Sequence, residues 1–363
     1  MFKKILVANR GEIALRIIRA CRELDIKTVA VYSKADDLSI HKKYADEAIC
    51  IGPSESAKSY LNIPSIISAA ELTNADAIHP GYGFLSENAQ FSKICKDNNI
   101  VFIGPDYNTI DTMGNKSKAK QTMKTLNIAV VPGSDGNLLD CKEGIEIAKE
   151  IGYPVLIKAS AGGGGRGMRL VHDESNFSKS YDAAKSEAKM SFNDDSVYLE
   201  KYFLNPKHIE IQIIADMHGN VKALFERECS IQRRHQKILE ESPSLAINDQ
   251  LREEMCKKSE FIANSINYVG AGTIEYLYDP YTREYFFMEM NTRIQVEHPV
   301  TEMITGYDLV RNQILCHANI ALSKEKLNSI KLRGHSIECR INAENTKNNF
   351  MPCPGEITSF HLP

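Results

Sequence analysis

In the N-terminal third, short apolar runs alternate with segments of helical periodicity, and this rhythm restricts the fold more than any other feature of the chain. The run from Ile5 to Ala8 reads as a strand. EIALRIIRACRELD follows it, with Ile13, Ile17, Ala20 and Leu24 recurring at helical spacing. TVAVYS reads as a second strand, IPSIISAAELTN as a helix, AIHP as a strand end and IVFIG as a further strand. Such alternation predicts an α/β unit, a parallel sheet covered by helices and Rossmann-like in topology. A dinucleotide-binding domain would carry G-x-G-x-x-G after its first strand, so that backbone could approach a pyrophosphate. The turn here reads Asn9-Arg10-Gly11-Glu12, with one glycine, so the topology is expected without that ligand.

A second region begins near Met113. Its stretch over about 131–202 holds the densest glycine cluster of the chain, bracketed by the strand-like YPVLIKAS and SVYLEKYF, and reads as a small mobile subdomain. A mixed strand and helix unit follows. The last segment, GHSIECRINAE and PCPGEITSFHLP, opens a new strand-rich piece. In HSIECRINAE, Ile337, Cys339 and Ile341 alternate with Glu338, Arg340 and Asn342, which predicts a strand with two distinct faces.

The glycine cluster carries the first chemical signal. Lys158 ends an apolar strand (Val155, Leu156, Ile157), and AGGGGRGM follows from Ala161 to Met168. Consecutive glycines let successive N–H groups turn toward one anion, a nest for phosphate oxygens, and the lysine adds a mobile charge. A flexible linker beside a coincidental lysine is the plainer alternative. Four adjacent glycines between two well-formed strands speak against it.

A pair of carboxylates is the second. AGTIEYLYDP and REYFFMEMNTR read as two strands of a hairpin, and closure around residue 282 sets Glu275 opposite Glu289. Facing carboxylates repel unless a cation lies between them, and magnesium favours a few carboxylates together with substrate phosphates. Glu289, Asn291 and Arg293 share parity and hence a face. If the extended conformation continued, Gln295 and Glu297 would join them, with the Arg293 guanidinium suited to a small planar oxyanion and Glu297 able to accept its proton. A salt-bridged turn would use the same letters. Upstream, ERECSIQRRHQKILEE packs Arg227, Arg233, Arg234, His235 and Lys237 among acids, which mostly reads as a solvated face.

Composition excludes other classes. A formal net charge of −3 gives no reason to expect nucleic acid. No apolar run approaches the ~20 residues of a membrane span, and the N-terminus lacks the character of a leader. The nine cysteines are scattered singly, without a C-x-x-C pair, as unpaired thiols are in a reducing compartment; a cytoplasmic protein is expected.

The motifs VANRGEIA, KSYLNIP, HPGYGFLSEN, FIGP, GGGGRGM, EKY, QRRHQK, EMNTRIQVEHPVTEM and ECRINAE resemble those of biotin carboxylase, the ATP-grasp component of acetyl-CoA, propionyl-CoA and pyruvate carboxylases. The likeness runs along the whole chain, and EMNTRIQVEHPVTEM is its most specific part. It implies an N-terminal Rossmann-like domain over 1–114, an ATP-grasp domain over 115–330 with its lid at about 131–202, and an incomplete C-terminal strand-rich domain over 331–363. The overall class is α/β (α+β when the later units are included).

The implied reaction makes carboxyphosphate from bicarbonate and ATP, then carboxylates N1′ of biotin. The resemblance assigns Lys116 and Lys158 to ATP phosphates, with Gly162, Gly163, Gly164 and Gly165 closing over them. Glu200, Lys201 and Phe203 would form the adenine strip, and His208, Gln232 and His235 would line the nucleotide site. Glu275, Glu289 and Asn291 would hold magnesium, with manganese as an alternative. Lys237, Arg293, Gln295 and the Val296 backbone would bind bicarbonate, Glu297 would be its base, and Arg340 with Tyr82 would serve biotin. Biotin would arrive as a carrier-bound substrate. The implied partners are a biotinylated carrier protein and a carboxyltransferase component, with a homodimer in the full-length form.

Two departures stand out: Phe203 where the family commonly has leucine, and Ala161 where it often has another glycine. The family also continues for roughly 80 further residues, a length that would complete a small C-terminal domain. A non-catalytic ATP-binding or assembly module, or another ATP-grasp ligase, is the alternative.

Overall fold

The computed structural model describes all residues except 161–166, 235, 356–357, 360 and 362–363. Strands β1 (Lys4–Val7), β2 (Lys27–Ser33), β3 (Glu47–Gly52), β4 (Ala77–His79) and β5 (Val101–Phe102) form a parallel sheet in the order β3-β2-β1-β4-β5. The alternation of the sequence thus produces the layered unit it predicts. Ile5 and Val7 pack on one side with Ile13 and Ile17 of the helix Gly11–Glu23, while Leu6 and Ala8 face Ile66 and Phe91 on the other. Strand β3 had no clear signal in the sequence. It is an edge strand on which only Ile51 is buried, so its apolar alternation is weak.

The glycine-rich stretch builds a separate three-stranded antiparallel sheet from β6 (Val155–Ala159), β7 (Met168–Val171) and β8 (Val197–Lys201), ordered β7-β6-β8. Val155, Ile157 and Leu199 bury one face against Phe177 and Ala184 of the helix Phe177–Phe192. The other face of β6 carries Lys158.

The third sheet takes six strands: β9 (Lys207–Ala215), β10 (Val221–Arg233), β11 (Gln236–Ser242), β12 (Gly270–Asp279), β13 (Glu284–Asn291) and β14 (Ser336–Cys339), ordered β13-β12-β9-β10-β11-β14. Ile209, Ile211 and Ile213 of β9 and Ile274 and Tyr276 of β12 point to one core, shared with Met255 and Ile262 of the helix Asp249–Ser265. Alternation sends His208, Glu210, Gln212, Thr273 and Glu275 to the opposite face. That polar face is the floor of the site. It adjoins the N-terminal unit through Ile214 and Ile294, which pack in the same core as Ile17, Leu309 and Ile314.

Strand β14 pairs with β11 and shows the two distinct faces expected of it, the charged one inward, with Ile337 and Ile341 outward, 56% and 90% exposed. One local expectation changes. Strand β13 ends at Asn291 and the chain turns before the helix His298–Thr305, so the extended conformation does not carry on to Glu297. Among the described residues, no helix is long and apolar enough to cross a membrane.

Candidate active site

The hairpin β12–β13 sets up the acidic centre. From the turn, its partners run Asp279 with Glu284, Leu277 with Phe286 and Tyr276 with Phe287. A register shift follows, and Glu275 then pairs with Glu289. Met288 is the extra residue, a β-bulge. Its consequence is visible in the side chains. Tyr285 and Phe287 lie in the core, Met288 and Glu289 both face the cavity, and Met290 returns to the core. Without the bulge, Glu289 would follow the parity of Phe287 into the apolar interior.

A cavity of about 830 Å³ lies over this floor, closed on one side by the small sheet. Lys116, Lys158, Glu200, Lys201, Phe203, His208, Gln232, Lys237, Glu275, Glu289, Asn291, Arg293, Gln295, Val296, Glu297 and Arg340 all line it. Residues from two sheets and more than two hundred positions of sequence therefore meet at one place. Gly162 to Gly165 and His235 lie outside the described residues. Tyr82 does not line the cavity; its hydroxyl donates to Glu12 in the N-terminal unit.

Lys237 organises the floor. Its ammonium donates to Glu297 at 2.6 Å, to Glu275 at 2.9 Å and to Glu210. Burial alone would discourage its charge, but Glu210, Glu275 and Glu297 prevail and hold its pKa well above the ordinary value. His208 stands 2.9 Å from Glu275. Burial again opposes protonation, but Glu275 and Glu210 outweigh it and raise the imidazole pKa to about 9. Glu275 also accepts from Asn291 (2.8 Å) and Gln295 (2.9 Å). Although burial pushes its pKa up, His208 and Lys237 hold it low and ionised.

Arg227 was expected on a solvated face. It is instead fully buried beneath the floor, donating to Glu210 (2.6 Å), Gln212 (2.7 Å), Thr301 (2.8 Å), Gln295 (2.8 Å) and Thr273 (3.2 Å). Arg234 is exposed, as that reading had it, whereas Arg233 is half-buried, paired with Glu344 and packed over Phe350. Glu210 and Arg227 were not singled out as site residues. The available signal was Glu210 and Gln212 interrupting the isoleucines of HIEIQIIA, polar groups at every second position of a central strand.

At the phosphate end, Lys158 and Lys120 both pair with Glu200, which is almost fully buried. Lys120 was also missed; it lies on the helix Lys116–Thr125, one turn beyond Lys116. Lys116 reaches within 3.5 Å of Glu289. The Gln232 side-chain amide lies 3.1 Å from His208 Nδ1. Phe203 packs tilted against Phe286, ring centroids 5.2 Å apart, an apolar wall suited to a flat ring. Lys201 turns its ammonium to Gly152 O at 2.7 Å. At the far end Arg340 bridges Glu240 (2.6 Å) and Glu297 (2.8 Å), and Arg293 meets Glu87 at 2.8 Å.

The residues present fit a magnesium ion. Glu275, Glu289 and Asn291 offer hard oxygen donors on adjoining positions of one face, the donor chemistry that magnesium takes. Glu275 already accepts from Lys237, Asn291 and Gln295 and pairs with His208, whereas the Glu289 side chain is 35% exposed and, among the described residues, forms an ion pair only with Lys116. Glu289 is therefore the open position, with space for water or phosphate beside it.

Comparison with known proteins gives two family matches: the N-terminal domain of biotin carboxylase over residues 1–110, and the ATP-binding domain of the carbamoyl-phosphate synthase L chain over 115–325. The chain is 56% identical over 362 residues to the biotin carboxylase of Nostoc sp., covering all of this chain and 80% of that protein. A biotin carboxylase from Campylobacter jejuni, solved as a β,γ-ATP complex, superposes with a TM-score of 0.93 at 51% identity, again over 100% and 80% of the two chains. The biotin carboxylase domain dimer of Hydrogenobacter thermophilus 2-oxoglutarate carboxylase, solved with MgADP, ADP and bicarbonate, gives a TM-score of 0.91 at 50% identity with the same coverage.

Proposed function

The chain belongs to the biotin carboxylase family, and from that premise we propose that it uses ATP and bicarbonate to carboxylate biotin. The observation that supports this reading best is the convergence of Lys237, Arg293, Glu297 and Arg340 at one end of a cavity whose other end holds Lys116, Lys158 and Glu289.

Bicarbonate would enter between Arg293, Gln295 and Lys237. Glu297, already within 2.6 Å of the Lys237 ammonium, would take its remaining proton while the lysine supports the developing dianion. A bicarbonate oxygen would then bond to the γ-phosphorus of ATP as the bond to the β-phosphate oxygen breaks, giving carboxyphosphate and ADP. Lys116 and Lys158 would hold the phosphates, and Lys158 must leave Glu200 to do so. Glu289, Glu275 and Asn291 would hold magnesium, which when bound supplies positive charge to the phosphate oxygens. Carboxyphosphate would then split at its carbon–oxygen bond into carbon dioxide and phosphate, and the released phosphate would take the N1′ proton of biotin. Arg340 would support the resulting enolate oxygen while N1′ bonds to the carbon dioxide. The small sheet β6–β8 would act as a lid, excluding water from the labile intermediate.

The same reading covers the domain division at 1–114, 115–330 and 331–363; the family matches over 1–110 and 115–325 support its first two parts. It also includes a biotinylated carrier, a carboxyltransferase component, dimerisation in the full-length form and a cytoplasmic setting. The test is phosphate release measured with and without bicarbonate and free biotin, on the wild type and Glu297→Gln. Turnover should fall by roughly 10²–10⁴-fold in the variant, the usual contribution of a positioned base, with ATP affinity kept. Loss of ATP binding in Glu297→Gln, or bicarbonate-independent release by the wild type, would overturn it.

A further inference from the structure

Glu338 stands two residues before Arg340 on the inward face of β14, directly opposite Glu240 in the β11–β14 register. Pairing continues to Arg340, whose N–H donates to Ile238 O at 3.0 Å. Glu240 is fully buried, and its Oε1 accepts from Arg340 Nε at 2.6 Å. Its Oε2 is buried without a hydrogen-bond partner among the described residues, and so is Oε2 of Glu338. Two opposed carboxylates, each one donor short, form an arrangement that a single proton repairs.

We infer that Glu338 and Glu240 share one proton, and that this carboxylic acid–carboxylate pair is a positioning device for Arg340. With the proton in place, the Glu338 O–H donates to Glu240, and the guanidinium stays forked between Glu240 and Glu297. With the proton gone, Glu240, Glu297 and Glu338 compete for one guanidinium, and Arg340 is drawn back along β14, away from the base. The inference rests on the roles given above to Glu297 and Arg340.

The surroundings of Glu338 favour its neutral form. Burial raises its pKa to about 7, Glu240 and Glu297 add to this, and Arg340 and Arg227 oppose it. Burial likewise raises that of Glu240 against the pull of Arg340. Further along β11, Lys237 is committed to Glu210, Glu275 and Glu297. Of the helix packed on β14, His298 is held by Gln295 O and Glu302 by Arg16. Tyr82, on the N-terminal unit, donates its hydroxyl hydrogen bond to Glu12.

The experiment compares wild type, Glu338→Gln and Glu338→Ala between about pH 6 and 9, reading bicarbonate- and biotin-dependent phosphate release together with urea-unfolding stability. Glutamine donates to Glu240 at every pH, so the activity ratio of Glu338→Gln to wild type should rise with pH. Alanine removes the donor and should cost roughly 10- to 100-fold in biotin-dependent kcat/KM, the effect of losing a hydrogen bond to a charged group, with the KM for ATP unchanged. The stability arm needs no activity. A carboxyl whose folded pKa is raised lends stability that is full below its unfolded value of about 4.3 and is lost as pH rises through the folded one. The wild type should therefore lose stability relative to Glu338→Gln between about pH 5 and 8. Parallel stability curves, or a glutamine variant as slow as the alanine one at all pH, would overturn the shared proton. A wild type without bicarbonate-dependent ATP cleavage would overturn the functional reading instead, while the stability arm still decides the inference.

Discussion

The carboxylate of Glu87 grips the end of strand β13 twice: Oε2 accepts from Arg293 Nε at 2.8 Å, and Oε1 accepts from the backbone N–H of Thr292 at 3.1 Å. Glu87 lies in the N-terminal unit, so that unit does more than support the site from below. It fixes the direction in which the Arg293 guanidinium leaves the sheet.

The first prediction concerns this clamp. Glu87→Gln keeps an acceptor but loses the charge that orients Arg293. It should raise the KM for bicarbonate by roughly 10- to 100-fold, the scale of a hydrogen bond to a charged group, and leave ATP affinity near wild type. Steady-state kinetics with each substrate varied in turn separate the two. An equal loss for both substrates would mean that Glu87 only holds the fold together.

Glu289 owes its place to the bulge at Met288 and faces the cavity as the open member of the acidic pair. Glu289→Gln should lower magnesium-dependent ATP cleavage on the order of 10²-fold, because the pair with Glu275 loses half its charge. Its half-exposed position means that the melting temperature should barely move. Unchanged ATP cleavage at matched magnesium would show that the pair does not hold the metal.

The same bulge shows how far the sequence could be read. Symmetric closure around residue 282 reached the right partners, Glu275 and Glu289, although the turn pairs Asp279 with Glu284 and an extra residue makes up the difference. A bulge has no strong local signature, so this geometry was beyond parity arguments. Periodicity found the parallel sheet, except for edge strand β3, and motif resemblance named every charged residue that lines the cavity except Lys120. What stayed hidden were groups whose role depends on pairing across the fold. Arg227 looks like any arginine in a charged run until Glu210, Gln212 and Gln295 close around it. Lys120 and Glu87 gain meaning only from Glu200 and Arg293, each far away in sequence.

Arg227 yields the third prediction. Removing one partner of a buried ion pair leaves the other charge uncompensated, which costs roughly 3–5 kcal/mol. Arg227→Met should therefore destabilise strongly, and also loosen Gln295 and Glu210 under the site. Chemical denaturation of Arg227→Met beside Glu210→Gln and the double variant measures this. If the two single effects simply add, the ion pair is not what holds the floor.

The last prediction concerns acid. His79, His298 and His317 lie buried where the N-terminal sheet meets the helices His298–Thr305 and Leu309–His317. Burial lowers all three pKa values, that of His79 to about 3 and that of His298 to about 4, and neighbouring cations such as Arg16 add to this for both. In the unfolded chain each would titrate near 6.5. Above that value the histidines are neutral in both states and cost nothing. As pH falls below it, the unfolded chain takes up protons that the folded one refuses, so stability drops by roughly 1.4 kcal/mol per pH unit for each histidine. The carboxylates held low, such as Glu275 and Glu200, lose their contribution only below about pH 4.3, outside this window. Glu338 works in the opposite direction, its raised pKa adding stability as pH falls from about 7, and burial raises Glu240 and Glu302 as well, while it lowers a fourth histidine, His41, alongside the three. Urea unfolding between about pH 6.5 and 4.5 should show stability falling with a slope approaching that of two protons, and His298→Gln should remove about one of them. A flat profile across that range would mean that these histidines take up protons without unfolding the protein.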